Sequence, residues 1–471
     1  MRLFSASAPI VNNRDWLQTD VPGPVTRAGE PSEPAWAAYR PAHGPICEHT
    51  ELGERMNACT EPCAGPNERS TGTPLPAFSP RPGAGSPETG TSERSGPDRL
   101  GAFTAGQLGR LCDLVGIDAQ RRTAHQRVLS DLLGPAADRP LADLPPSPSF
   151  VSDDHTPVEF SLTFPAGGAP VLRVLVDPGC AARTLPDNAR TAWAAVGRLA
   201  AQWGFRLDEL TRVNDLFLPP VPHGPLTLWS ALELRPSGPP GLKVYLNAGS
   251  RGAERSMEIV GEAMTRLGHG RAYECVRSYL RPRFPERASL MFFALDVGPW
   301  AEPRVKVYVA HHHATAADAA DAARLVPGAS PERVAELCRR VGGDEPFSRL
   351  PLISCYSFTD AGADRPTGHS LHVPVRAYVR DDRAARDHAV WLLQHYGIHN
   401  APLDRALAAL TARRLSAGVG LIPYLSLVQA GRQAPRITIY LSPEAYRVFP
   451  PREDAGPGSP ADGRRAADRI S

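Results

Sequence analysis

The feature that most constrains this chain is a pair of strand-like runs that recurs five times. The pairs are VEFSLTFPAGGAPVLRVLVDP (158–178), LTLWSALELRPSGPPGLKVYLNA (226–248), SLMFFALDVGPWAEPRVKVYVA (289–310), LISCYSFTDAGADRPTGHSLHVPV (352–375) and LIPYLSLVQAGRQAPRITIYLS (421–442). In each, two runs rich in β-branched and aromatic residues flank a turn containing Gly or Pro, the pattern of an antiparallel hairpin with a longer loop. Equivalent positions in the second strands, Arg173, Lys243, Lys306, His372 and Thr438, lie 70, 63, 66 and 66 residues apart. Such near-constant spacing marks one supersecondary unit repeated.

Between the hairpins the period changes to helical. Met257, Val260, Met264 and Leu267 fall on one helix face, as do Val334, Leu337, Cys338 and Val341. The unit is therefore strand, strand, helix, helix. Five hairpins in an open sheet would leave two edges with unpaired backbone groups, and closure removes both. The expected fold is α+β: a ten-stranded antiparallel β-barrel of five repeated ββαα units with an outer ring of helices, over residues 103–450.

The flanks differ in composition. Residues 1–100 carry 15 Pro and 10 Gly with no sustained periodicity, too little apolar surface to offset the entropy of ordering. A disordered tail is expected there, and another over 451–471. The glycines of GAGSPETG (83–90) follow no strand and precede no Lys-Ser/Thr, so they do not form a phosphate loop.

With 52 basic and 50 acidic residues the chain has no strong overall field, and no nucleic-acid partner is implied. Its longest apolar run, ASLMFFALDV, is too short to span a bilayer, and the N-terminus lacks a basic region followed by an apolar stretch. A cytoplasmic protein without a membrane partner is expected. The eight cysteines make no disulfide framework. Cys112, Cys180, Cys275, Cys338 and Cys355 read as reduced thiols, and Cys47, Cys59 and Cys63, near His43 and His49, match no familiar zinc spacing.

The polar residues inside the strands carry the functional signal. Side chains alternate along a strand, so Arg304, Lys306 and Tyr308 share one face and Val305, Val307 and Val309 the other. With the valines under the helices, the barrel interior receives Lys243 and Tyr245, Arg304, Lys306 and Tyr308, Arg173, and Arg436, Thr438 and Tyr440. A lumen holding several cations and phenols is costly unless something anionic binds there. Solvent-facing positions of amphipathic strands would explain one K-x-Y motif. They do not explain the same residue types at the same point of successive repeats.

The series K-V-Y, then R-V-K-V-Y, with V-E-F-S upstream and I-T-I-Y near the end, resembles the dimethylallyltryptophan synthase type of aromatic prenyltransferase over roughly residues 103–450. That resemblance implies the same helix-ringed barrel, known as the ABBA barrel, and the transfer of a dimethylallyl group from dimethylallyl diphosphate to an indole ring, most simply that of tryptophan. It implies that Arg173, Lys243, Arg304 and Lys306 bind the diphosphate. Tyr245, Tyr308, Tyr424 and Tyr440 would shield the allyl group and help bind the donor, and Glu159 would accept the indole N–H. Ser370 and His372 stand where fungal members have Gln and Tyr, as possible donor-binding positions, and the string LHVPVRAYV is more like bacterial members. The run LTLWSALEL lacks a lysine that some members use for the last deprotonation, which leaves that base and the ring position open. No metal is implied as a requirement, with magnesium or calcium at most enhancing, and the chain would act as a monomer or homodimer on its two small-molecule substrates.

The residue types suit this chemistry. Preplaced cations stabilise the charge that develops on a leaving diphosphate, and aromatic faces stabilise and shield an allylic cation. The aspartates of VRDDRAARD (379–387) lack the spacing of a magnesium-binding motif and suit a helix start. Three adjacent histidines, His311, His312 and His313, do not converge on one ion from an extended strand. Two alternatives stay open: the same barrel and donor with a tyrosine or hydroxynaphthalene acceptor, and a non-enzymatic barrel for a phosphorylated ligand.

Overall fold

A computed structural model describes residues 99–142, 148–431 and 433–453. The tails expected at 1–100 and 451–471 fall almost wholly outside the described residues, as do Cys47, Cys59 and Cys63.

The five hairpins form as expected. They are β1 (Val158–Phe164) with β2 (Val171–Val176), β3 (Leu228–Glu233) with β4 (Gly241–Asn247), β5 (Ala288–Val297) with β6 (Val305–His311), β7 (Leu352–Phe358) with β8 (Gly368–Val373), and β9 (Leu425–Ala430) with β10 (Arg436–Leu441). Every strand pairs antiparallel with its sequence neighbours, and β1 pairs with β10 to close a ten-stranded barrel. Among the described residues no sheet edge remains to recruit another chain.

Helices lie between the hairpins, and a further pair precedes the first. Before β1 come α1 (Leu100–Leu114) and α2 (Ala119–Leu133). After β2 come α3 (Leu185–Trp203) and two single turns, α4 (Asp208–Thr211) and α5 (Asn214–Phe217). Then come α6 (Ser256–Arg266) with α7 (Gly270–Leu280), α8 (Ala316–Ala323) with α9 (Pro331–Gly342), and α10 (Asp382–His395) with α11 (Ala401–Leu410). The cycle thus starts half a unit earlier than the sequence repeat suggests, with a helix pair first and a hairpin last. Gln107 of α1 ties the two ends of the ring, donating to the carbonyls of Leu410 and Pro443 at 3.1 and 3.0 Å.

Local sequence explains the helix starts. Thr315 and Asp318 form a reciprocal capping box at α8, Ser330 caps α9 ahead of Pro331, and Asp381 caps α10. The aspartates of VRDDRAARD are therefore used structurally. Asp382 is buried and accepts from the backbone N–H groups of Gly420 and Ile422.

Strand alternation places the core between sheet and helices. Phe160 and Leu162 of β1, Leu242 and Val244 of β4, Val305 and Val307 of β6, and Ile437 and Ile439 of β10 all point outward into that layer and are buried. Burying such side chains stabilises by roughly 1.5–3 kcal/mol each. The intervening residues face the lumen. One irregularity interrupts this: the β5–β6 register shifts between Leu290 and Phe292, and this bulge turns both Met291 and Phe292 toward the lumen. Among the described residues no helix is long and apolar enough to cross a membrane.

Candidate active site

The lumen has two chemically different ends. At the end where the hairpins turn, five cations converge: Arg173, Lys243, Arg304, Lys306 and Arg436. Each sits at or just before the first residues of a second strand of a hairpin, which is why the repeat brings them to one level. Two carboxylates oppose them. Arg173 donates through Nε and Nη2 to Glu233 Oε2 at 2.9 and 2.7 Å. Asp296, with no solvent exposure of its side chain, pairs with Lys243 Nζ at 2.7 Å and accepts from Arg304 Nε at 2.6 Å. Both carboxylates lie directly across the ladder from a cation, Glu233 from Arg173 and Asp296 from Lys243. Five basic groups against two carboxylates leave an excess of three basic groups.

Burial and crowding show in the titration of these groups. Lys243 is pushed down to about 7, first by burial and then by the neighbouring charge of Lys306, although Asp296 holds it up. Burial works to raise Asp296, but the charges of Lys243 and Arg304 outweigh it and keep the carboxyl below its usual range. Lys306 is also lowered by burial and makes no ion pair among the described residues. Its charge, like that of Arg436, is available to a ligand.

Trp300, in the β5–β6 turn, forms one wall of this end. Its Nε1 donates to the carbonyls of Leu242 and Val297, both at 3.0 Å, and its ring centroid lies 5.2 Å from both Lys243 Nζ and the Arg304 guanidinium. Glycine at 241 permits that close seating, because a Cβ there would come within 2.6 Å of the Trp300 ring.

The opposite end, where strands lead into helices, is lined by Trp229, Phe292, Met291, Leu226 and Tyr424. Its charged groups are Glu159, Asp153 and Arg376. Glu159 is 8% exposed and its carboxyl is raised to about 8 by burial, with Arg376 pulling it down and Asp153 pushing it up. Arg376 comes from the turn after β8. It donates through Nη2 to Asp153 Oδ1 at 2.9 Å, also pairs through Nε with that carboxylate, and lies 4.5 Å from the centroid of the Tyr424 ring.

Four side chains line both ends: Tyr245, Tyr308, His372 and Tyr440. Their rings follow one another at tilted angles, with centroids 5.7 Å apart for Tyr245 and Tyr308, 5.9 Å for Tyr308 and His372, and 5.6 Å for His372 and Tyr440. Burial pushes the Tyr245 phenol up to about 12, and Tyr308 and Tyr440 rise well above their ordinary value for the same first reason. All three stay protonated at neutral pH.

Each donor- or acceptor-site residue expected from sequence thus reaches this lumen. Arg173, Lys243, Arg304, Lys306 and Ser370 line the cationic end, Glu159 and Tyr424 the aromatic end, and Tyr245, Tyr308, Tyr440 and His372 the junction. Sequence reasoning missed Asp296, Glu233, Trp300, Trp229, Asp153 and Arg376. The two carboxylates were discoverable from alternation, since each occupies a lumen-facing position opposite a cation. Arg376 and Asp153 lie outside the strands and left no such signal. The three histidines diverge: His311 packs against Tyr279 outside the barrel, His312 bonds Ser289 at 2.8 Å, and His313 takes a positive φ of 51° in the turn.

Comparison with known proteins agrees with this geometry. The profile of the tryptophan dimethylallyltransferase family matches residues 104–402. The prenyltransferase PriB, solved as a ternary complex with L-tryptophan and dimethylallyl thiolodiphosphate, is 46% identical at a TM-score of 0.71, over 76% of this chain and 100% of PriB. The 5-dimethylallyltryptophan synthase of Streptomyces coelicolor is 48% identical at 0.71, over 77% and 100%. The 6-dimethylallyltryptophan synthase of Micromonospora olivasterospora is 42% identical at 0.70, over 75% and 99%. A barrel with a cationic end, an aromatic end and this degree of likeness over the whole length of its relatives has one reading: the chain belongs to the tryptophan dimethylallyltransferase family.

Proposed function

We propose that this protein transfers the dimethylallyl group of dimethylallyl diphosphate to a carbon of the indole ring of tryptophan. The observation that carries the proposal is the division of one lumen into a cationic end and an aromatic end holding a buried acid, joined by a ring of phenols. The three relatives above, whose names specify tryptophan prenylation or whose structure contains tryptophan and a donor analogue, support the choice of substrates.

In this reading Lys306, Arg436, Arg173, Lys243 and Arg304 hold the diphosphate. As the allylic C–O bond breaks, its electron pair passes to the diphosphate, and these cations stabilise the charge without having to reorganise. Side chains supply the neutralisation, so no metal is required. The allylic cation lies between the rings of Tyr245, Tyr308 and Tyr440, with Tyr424 behind, where cation–π attraction contributes roughly 0.5–2 kcal/mol per ring and water is excluded. The indole lies against Trp229 and Phe292 with its N–H toward Glu159. As the ring carbon attacks, positive charge grows on the indole, and the bond to an ionised Glu159 strengthens. Ser370 lies on the diphosphate side.

The test is incubation of the full-length protein with dimethylallyl diphosphate and, separately, tryptophan, tyrosine and 1-naphthol, with products read by mass and NMR. Tryptophan carrying one dimethylallyl group on a ring carbon is expected. Prenylation of the naphthol or tyrosine with none on tryptophan would transfer the proposal to another acceptor. Donor binding without any transfer would overturn it.

A further inference from the structure

Electrophilic substitution on an aromatic ring ends with the loss of a proton from the alkylated carbon, and that carbon must lie where donor and acceptor meet. In this lumen the meeting place is bounded by the four side chains common to both ends. Three of them are phenols that keep their protons at neutral pH. Glu159 is beyond them at the aromatic end, and the lysines are at the cationic end.

The fourth is His372. It stands on β8, fixed by pairing with Ile353 of β7 and Ser426 of β9, and its ring lies between those of Tyr308 and Tyr440. Its Nε2 is buried and has no hydrogen-bond partner among the described residues. A buried polar atom without a partner is costly and calls for an explanation, and this one faces the place where donor and acceptor meet. Burial, then Lys306 and His369, push its pKa down to about 3, so the imidazole is neutral with a free lone pair.

We propose that His372 is the base that removes the ring proton after the carbon–carbon bond has formed. The C–H bond breaks, its electron pair returns to the ring and restores aromaticity, and an imidazole nitrogen forms the new N–H. The resulting imidazolium lies beside the diphosphate bound at Lys306, whose negative charge stabilises it and which then receives the proton and leaves with it. A weak base suffices, because an alkylated arenium ion is a far stronger acid than imidazolium. This assignment rests on the proposed tryptophan prenylation and goes beyond a donor-binding role for the same position.

The experiment compares the full-length wild type with His372→Phe and His372→Asn, using tryptophan and tryptophan deuterated on its ring carbons. Product formation in a single turnover and the affinity for inorganic diphosphate are measured for each. Product formation is expected to fall roughly 10²-fold or more, the usual scale for loss of a general base. A normal primary isotope effect should appear in both variants and be larger than in wild type, with diphosphate affinity unchanged. A retained rate, or a lowered rate with weakened diphosphate binding and no isotope effect, would overturn the assignment. If His372→Phe perturbs folding, the Asn variant keeps a polar side chain that still lacks a basic nitrogen. Wild type that prenylates no tryptophan would instead defeat the proposed function, so the two failures are distinct.

Discussion

Replacing Glu159 by Gln separates the charge of this side chain from its shape. The carboxyl is raised from 4.5 to about 8, with burial as the largest cause. At pH 7 roughly one molecule in ten is then ionised, since each unit is a tenfold ratio. A glutamine can still accept the indole N–H through its carbonyl, so above about pH 8, where Glu159 is ionised, the ground-state loss is that between a charged and a neutral hydrogen bond, about 1–2 kcal/mol. The rest of the effect comes when the ring turns positive, and together they should lower prenylation by roughly 10²-fold or more, about 2.7 kcal/mol. The assay is kcat/KM for tryptophan between pH 6 and 10 with donor saturating. Wild type should rise with pH and level off above about 8, whereas Glu159→Gln should be low and flat. Stability should move too. The folded protein holds a proton that the unfolded chain releases between pH 4.5 and 8, so wild type loses stability as pH rises through that window and the variant does not. A variant with wild-type turnover, or one that keeps the limb near pH 8, would refute the reasoning.

Three further outcomes follow from the cationic end. Lys306→Ala leaves no carboxylate orphaned, because Lys306 makes no ion pair among the described residues, and should reduce turnover roughly 10²–10³-fold through lost stabilisation of the leaving group; an unchanged rate and donor affinity would remove Lys306 from the site. Lys243 is held down to about 7, and a bound diphosphate should raise it, so donor affinity should fall as pH rises above about 7 and binding should take up a proton. Calorimetry in buffers of different ionisation heat checks this, and Lys243→Met should reduce the uptake. Turnover should persist in excess EDTA, and a complete loss restored by magnesium would contradict side-chain neutralisation.

Much of this barrel could be read from sequence because alternation is written into every strand. The valines of R-V-K-V-Y reveal the helix side, and the charged partners reveal the lumen. The first helix pair was hidden for a physical reason: α1 buries Gly101, Thr104, Gln107 and Gly109 beside its leucines, so its inward face has little apolar contrast. Alternation puts Asp296 and Glu233 on the lumen face, but only the register shows that each neutralises a cation. Arg376 lies in a turn, and its partner Asp153 is more than two hundred residues away, a pairing that no local pattern encodes.

The division of the lumen is tested most directly by crystals of the protein with dimethylallyl thiolodiphosphate and tryptophan. The diphosphate oxygens are expected within hydrogen-bond distance of Lys306 and Arg436, with the indole nitrogen facing Glu159 and the allyl carbon between Tyr245, Tyr308 and Tyr440. A diphosphate seated against Arg376, or an indole nitrogen turned away from Glu159, would contradict it.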